Sequence, residues 1–109
     1  MKPRKRHDTA NPVTFTLSDK NGAVDLSTAT SVNFIMKGPT TVKVNAACDV
    51  DVDQVANKGK CTYTFADADV NTSGNYRVEL QVVWGDGTQS TFPSGGYEQI
   101  TIIEDLDNA

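Results

Sequence analysis

The stretch from Asn75 to Trp84 constrains the fold of this 109-residue chain more than any other part of its sequence. Apolar side chains occupy every second position of it, with charged or amide side chains among the residues between them. A period of two places the apolar set on one face of a β-strand, whereas a helix would scatter it around its surface. We therefore expect a long strand that buries the face made of Tyr76, Val78, Leu80, Val82 and Trp84.

Shorter segments along the chain repeat this alternation between turn-forming residues. The chain holds 12 valines and 13 threonines but only three glutamates, a composition that favours strands over helices. Gly85–Gly87 predicts a hairpin turn, and residues 67–70 predict one helical turn. The pattern indicates an all-β protein, a two-sheet antiparallel β-sandwich with a small β-barrel as the alternative. Besides 75–84, strands are predicted over 13–17, 24–26, 32–37, 41–46, 60–65, 88–92 and 97–103.

Positive charge is concentrated at the N-terminus of an otherwise acidic chain. Four of the ten basic residues lie in the first six positions, and the formal net charge is -4. We expect a flexible basic arm over residues 1–12, a single sandwich domain over 13–103 and an acidic tail over 104–109. The arm is either a solvated terminus or a docking arm for an acidic protein neighbour, with nucleic acid a weaker alternative. Its charged residues are Lys2, Arg4, Lys5 and Arg6.

No apolar run reaches the roughly 18 residues that a membrane span requires, and none follows the basic arm as it would in a signal peptide. These features predict a soluble protein that is made in the cytoplasm and has no membrane partner.

The sequence offers little for catalysis. Its only histidine, His7, lies in the basic arm, where a third group is rarely available to orient the imidazole for a nucleophile. The sequence contains no Walker-type glycine loop, no G-x-S-x-G motif and no H-E-x-x-H motif. We therefore predict a protein that is not an enzyme, with no catalytic residue and no cofactor.

Asp49, Asp51 and Asp53 repeat the D-x-D-x-D opening of a calcium-binding loop. The sixth position of that motif is Gln54 instead of glycine, and the twelfth is Lys60 instead of a bidentate glutamate. The three carboxylates are a weak metal candidate. An acidic strand edge that discourages unwanted strand pairing explains them better.

Cys48 and Cys61 lie opposite each other if a hairpin is centred between residues 54 and 55. Such neighbours form a disulfide only in favourable pair geometry, and synthesis in the cytoplasm favours free thiols. The sequence leaves both states open.

The aromatic residues have two interpretations. Trp84 and Tyr76 share the phase of the apolar strand face, which favours a role in the core, together with Phe92, over a sugar-binding platform. Tyr97 follows two glycines and is the candidate for an exposed contact.

Several segments in order resemble a known family of phage proteins. They are Asp19–Ser27, Val32–Lys37, Gly74–Leu80, Trp84–Thr88, and Thr91–Tyr97 with Ile100–Ile102. Near the start, Arg6, Asp8, Thr9 and Pro12 have counterparts as well. Together these segments resemble the N-terminal domain family of the tailed-phage baseplate upper protein over nearly the whole chain.

The resemblance implies an immunoglobulin-like β-sandwich of about seven strands that serves as a structural module of a bacteriophage virion. It implies docking to other virion proteins, in multiple copies on a symmetric particle assembled in the host cytoplasm. Members of the family continue into a longer linker, whereas this chain ends at Ala109, so a neck, collar, tail, baseplate or capsid-decorating position is open. The alternative function is a carbohydrate- or cell-surface-binding sandwich, for which Tyr97 is the candidate contact.

Overall fold

A computed structural model describes residues 4–38, 41–93 and 98–103 of the chain, and its regular structure is almost entirely β-strand. A single 3₁₀ turn covers Asp67–Asp69. No helix in the described part of the chain has the length and apolar character needed to cross a membrane. The strands are β1 (Arg4–Lys5), β2 (Val13–Thr16), β3 (Ser18–Asp19), β4 (Gly22–Ala23), β5 (Ala29–Lys37), β6 (Val42–Ala47), β7 (Asp49–Val50), β8 (Lys60–Tyr63), β9 (Gly74–Trp84), β10 (Gln89–Phe92) and β11 (Glu98–Ile103).

The strands form a large sheet and a smaller one that face each other as a sandwich. The large sheet has the order β1-β11-β9-β5-β6, and β10 also pairs with β9. The small sheet has the order β2-β8-β7, and β3 and β4 form a separate two-stranded hairpin. The predicted all-β sandwich is therefore confirmed.

Strand β9 organises the large sheet because it is long enough to pair with two strands on one side. β10 pairs with the part of β9 from Leu80 to Val83, and β11 pairs with the part from Gly74 to Val78. β5 pairs with the opposite edge of β9, from Arg77 to Trp84. The strand predicted over 75–84 is thus the centre of the sheet, and the predicted hairpin to β10 is confirmed.

The core lies between the two sheets and is built around Phe34 on β5. Its ring is fully buried and stacks on the Tyr63 ring, with 4.4 Å between centroids and 5° between planes. The Phe65 ring meets Phe34 edge-on at 5.7 Å, and Phe15 packs at 5.9 Å. Stacked and edge-to-face aromatic pairs stabilise a core beyond the area they bury. This cluster joins the large sheet to the small sheet.

Three parts of the fold differ from the sequence predictions. Residues 24–26, predicted as a strand, lie outside any strand, and the short hairpin of β3 and β4 comes just before them. Strand β1 lies inside residues 1–12, which the sequence assigns to a flexible arm, and it pairs in parallel with β11 through Arg4 opposite Ile102. Strand β7 lies inside the polar region after residue 48 and pairs with β8. Both strands have only two residues, too few for a period of two to be visible in the sequence.

Candidate functional site

The basic N-terminal segment packs along the edge of the large sheet. The guanidinium group of Arg4 lies 4.5 Å from the centroid of the Phe65 ring and donates a hydrogen bond of 2.9 Å to the carbonyl of Asp8. It also donates to the carbonyl of Asn11. Arg4 is therefore engaged within its own chain, whereas the neighbouring Lys5 is exposed. Lys2 lies outside the described residues.

His7 fastens the same segment to the 3₁₀ turn. Its Nδ1 lies 2.7 Å from Oδ1 of Asp67, and its Nε2 lies 3.4 Å from the Arg6 guanidinium. The backbone amide of His7 donates to the carbonyl of Val70. Asp67 therefore supplies the third group that the sequence analysis expected to be lacking, because it orients the imidazole through Nδ1. Nε2 faces the Arg6 guanidinium and not a nucleophile.

The three aspartates of the acidic motif have different roles in the structure. Asp49 lies on β7 and is exposed, but β7 ends at Val50, so Asp51 and Asp53 lie in the following loop. Oδ1 of Asp51 accepts a hydrogen bond from the amide of Asp53. The described residues contain no group of three or more His, Cys, Asp or Glu side chains placed to hold a metal ion. The carboxylates of Asp51 and Asp53 instead shape their own loop.

We call residues 51–59 the valine loop, because Val52 and Val55 are almost completely exposed on it. Oδ1 of Asp53 accepts hydrogen bonds from the amides of Val55 and Ala56, at 3.1 and 3.0 Å. The loop is therefore a hydrogen-bonded turn that holds two branched apolar side chains in water. The sequence pattern did not predict this exposed apolar surface. Alternation along a strand would place Val52 on the face away from the three carboxylates, whereas the structure places it in a loop.

Gln54 anchors the valine loop to the body of the domain. Its side chain is buried, and Oε1 accepts hydrogen bonds of 3.0 Å from the amides of Leu26 and Gly59. Its Nε2 donates to the carbonyl of Asp51. A buried amide side chain whose oxygen and nitrogen are both hydrogen-bonded to the backbone fixes the backbone around it. Gln54 departs from the calcium motif at this position, and the structure gives it this anchoring role.

Cys48 and Cys61 are both free cysteines. Cys61 lies opposite Val50 in the β7–β8 ladder, so the hairpin register differs by two residues from the one that would place Cys48 opposite Cys61. The neighbouring Cys61 thiol and burial raise the pKa of Cys48, and the Cys48 thiol lowers that of Cys61. Cys61 is buried, whereas Cys48 is half-buried.

An open groove of about 320 Å³ lies between β2 and the strands β9, β10 and β11. Its apolar lining comes from Phe15, Leu80, Phe92 and their neighbours, and Glu98 is the one charged side chain that lines it among the residues the structure describes. Thr14, Thr16 and Ser18 add polar residues on the β2 side.

The aromatic residues weighed as a sugar-binding platform belong to the core, as predicted. Tyr76 and Phe92 are buried. The half-buried Trp84 packs against the core and donates from Nε1 to Oγ of Ser90 at 3.0 Å. Tyr97 lies outside the described residues.

One family model matches the chain. It is described as the BppU N-terminal domain, and it covers residues 4–92. The match begins at the first residue of β1 and ends at the last residue of β10, so it includes the small sheet and every strand of the large sheet except β11. No curated protein matches the chain.

Proposed function

The chain belongs to the BppU N-terminal domain family, a family of structural domains of the phage baseplate, and we propose that it is a non-enzymatic module that joins neighbouring virion proteins. Membership in the family makes the chain a virion component and other virion proteins its partners. Assembly in the host cytoplasm and multiple copies on a symmetric particle are parts of the same proposal. Multiple weak contacts on such a particle reinforce each other through avidity.

The observation that carries the docking proposal is the exposure of Val52 and Val55 on an anchored loop. Burial of each valine side chain against a partner contributes roughly 1.5 kcal/mol or more of favourable binding free energy. Because Gln54 and Asp53 already fix the loop backbone, docking orders few additional residues, which keeps its entropic cost low. The valine loop therefore has both the apolar surface and the rigidity of a protein contact.

The charges around the two valines indicate the chemistry of the partner. The carboxylates of Asp51 and Asp53 flank Val52 in the sequence, and Asp49 is exposed just before the loop. A partner with a shallow apolar pocket and a Lys/Arg rim complements this arrangement, since opposite charges at the edge of an interface guide its orientation. We propose a neighbouring virion protein with such a pocket as the partner of the valine loop.

The basic N-terminal segment is the competing docking surface. Arg4 and His7 are engaged within the chain, so the exposed Lys5 is the described residue best placed to meet an acidic neighbour. A docking arm of residues 1–12 would use Lys5 together with Lys2. The two docking hypotheses require neighbours of opposite charge. An acidic neighbour would attract Lys5, whereas it would repel the carboxylates of the valine loop.

Incorporation into phage particles separates the two surfaces. Three phage variants are compared. The first carries Val52→Ser and Val55→Ser together, the second carries Val42→Ser as its matched control, and the third carries Lys5→Glu. Val42 is also an exposed valine, at 54%, but it lies on β6 in the large sheet. We expect the double variant to lower the copies per purified particle at least tenfold, and Val42→Ser to leave them unchanged.

Undiminished incorporation of the double variant would overturn the docking role of the valine loop. Loss of incorporation with Lys5→Glu alone would assign docking to the basic segment. Circular dichroism of each purified chain verifies that the variants are folded.

A further inference from the structure

We propose that Cys48 and Cys61 form a modification site, a dithiol that closes to an intramolecular disulfide by exchange with a small disulfide such as oxidised glutathione. The bond would connect the two sheets of the sandwich at the base of the valine loop. It does not depend on the docking function proposed above, because it concerns covalent chemistry within one chain.

Cys48 occupies the point where the chain passes from one sheet to the other. Its backbone amide donates a hydrogen bond of 2.7 Å to the carbonyl of Val32 on β5, in the large sheet. The next two residues, Asp49 and Val50, pair with β8 in the small sheet. Cys48 is therefore held by the large sheet on one side and leads directly into the small sheet on the other.

Cys61 completes the pair from the middle strand of the small sheet. It lies on β8, between β2 and β7, and its side chain packs in the core. Cys48 lies two positions before Val50, the residue opposite Cys61, and packs against the core cluster that contains Cys61, so the two side chains are neighbours. Disulfide formation brings their sulfur atoms to the S–S bond length of about 2.05 Å.

The exposure of the two thiols sets the order of the exchange. The half-buried Cys48 is the thiol that a small disulfide can reach, whereas Cys61 is 1% exposed. The small fraction of Cys48 that is deprotonated attacks one sulfur of oxidised glutathione and releases one glutathione thiolate, which takes up a proton. Because the pKa of Cys48 is raised, this first attack is the slow step. The Cys61 thiolate then attacks the Cys48 sulfur and releases the second glutathione. Two protein thiols are oxidised to a disulfide, and one oxidised glutathione is reduced to two glutathione thiols.

The bond would have a structural effect that follows from its position. It closes the segment from Cys48 to Cys61, which contains the whole valine loop, and reduces the freedom of the unfolded chain. A domain of this size buries a modest core, so a covalent connection between the sheets has a large relative effect. We expect the oxidised chain to unfold at a higher temperature than the reduced chain.

The test uses the full chain, folded and reduced, with oxidised glutathione as the probe. After incubation, free thiols are blocked with N-ethylmaleimide under denaturing conditions and the intact mass is measured. We expect the chain to lose the mass of two hydrogen atoms and to take up no maleimide. Trypsin should then release the peptides 44–58 and 61–77 as one linked species. The melting temperature is measured on the same oxidised and reduced samples.

Two single-cysteine variants test the order of events. Cys61→Ser keeps the half-buried Cys48 and should retain one glutathione as a stable adduct. Cys48→Ser keeps only the buried Cys61 and should form this adduct at least tenfold more slowly. Equal adduct formation by the two variants would overturn the proposed order.

The wild-type mass decides the proposal even if a variant does not fold. Two maleimide groups per chain after incubation, an unresolved glutathione adduct, or a disulfide that links two chains would each overturn the intramolecular bond. An unchanged melting temperature in a chain that has formed the bond would overturn its role in connecting the sheets.

Discussion

Oε1 of Gln54 accepts a hydrogen bond of 3.0 Å from the backbone amide of Leu26, a residue 28 positions earlier in the chain. The same oxygen accepts a second bond from the amide of Gly59, so one side chain satisfies two buried donors. A loop of polar residues is thereby joined to the segment before β5. This anchoring keeps Val52 and Val55 in place without any apolar contact of their own.

Gln54→Ala should destabilise the domain by about 2 kcal/mol or more, because a buried donor left without a partner costs about 1–3 kcal/mol. Gln99→Ala is the matched control, since Gln99 is exposed on β11 and its replacement should change stability by no more than about 0.5 kcal/mol. Urea unfolding of both variants measures the difference. Equal midpoints for the two variants would contradict the anchoring role of Gln54.

Gly59→Ala should destabilise the domain more than Gly87→Ala. Both glycines have positive φ, 81° and 88°, so each substitution bears the left-handed cost of roughly 1–2 kcal/mol. A Cβ on Gly59 would also lie 2.5 Å from the carbonyl oxygen of Leu17, whereas one on Gly87 would have no atom within 4 Å. We expect a further loss of about 1–3 kcal/mol for Gly59→Ala from this overlap.

The comparison uses urea unfolding midpoints of the two alanine variants against the wild type. Because Gly59 and Gly87 both have positive φ, the difference in unfolding midpoint between the two variants measures the effect of the contact with Leu17. A Gly87→Ala variant as unstable as Gly59→Ala would show that the contact with Leu17 has no effect.

The sequence predicted those parts of the fold that a repeating pattern defines. Strand β9 was visible because five apolar side chains alternate along it, and β10 followed from the turn at 85–87. Strand β1 was not visible, since Arg4 and Lys5 carry no apolar alternation and pair only because the edge of β11 is available. A strand of this kind is defined by its neighbour, and its own residues contain no signal for it.

The candidate surfaces were harder to predict for a similar reason. Gln54 is one polar residue in a polar region, and only its burial distinguishes it. The chain switches sheets at Cys48, so Cys61 faces Val50, and this register depends on the conformation of the whole valine loop. Contacts between Cys48 and Cys61 were therefore predictable as proximity but not as an exact pairing.

Asp86 should make the hairpin between β9 and β10 sensitive to acid. Hydrogen bonds from the Thr88 hydroxyl at 2.6 Å and the Thr88 amide at 3.0 Å lower the pKa of the Asp86 carboxyl below 3.8. The folded state then binds the proton more weakly than the unfolded state does, so the contribution of Asp86 to stability is complete above the ordinary carboxyl pKa. It is lost as the pH falls below about 4 and through the pKa of the folded state.

NMR titration of the Asp86 side-chain carbon measures this shift directly. Thr88→Val removes the hydroxyl donor and should raise the pKa of Asp86 toward its ordinary value, whereas the titration of Asp25 on another loop should not change. Asp86→Asn should reduce the acid dependence of the urea midpoint. An Asp86 titration that is the same in wild type and Thr88→Val would contradict the role of the hydroxyl.

Arg4→Ala and Lys5→Ala should differ in their effect on stability, although the two residues are neighbours in one basic segment. The guanidinium of Arg4 covers the Phe65 ring and donates to the carbonyl of Asp8, so its removal should cost about 1–2 kcal/mol. Lys5 is exposed, and Lys5→Ala should change stability by less than about 0.5 kcal/mol. Urea unfolding checks both values.

If Arg4→Ala is as stable as the wild type, the segment acts as a free arm, and the contact with Phe65 contributes nothing to the fold. A measured loss with Arg4→Ala alone would instead make β1 part of the domain, because the stability of the sandwich would then depend on a residue that precedes its first long strand.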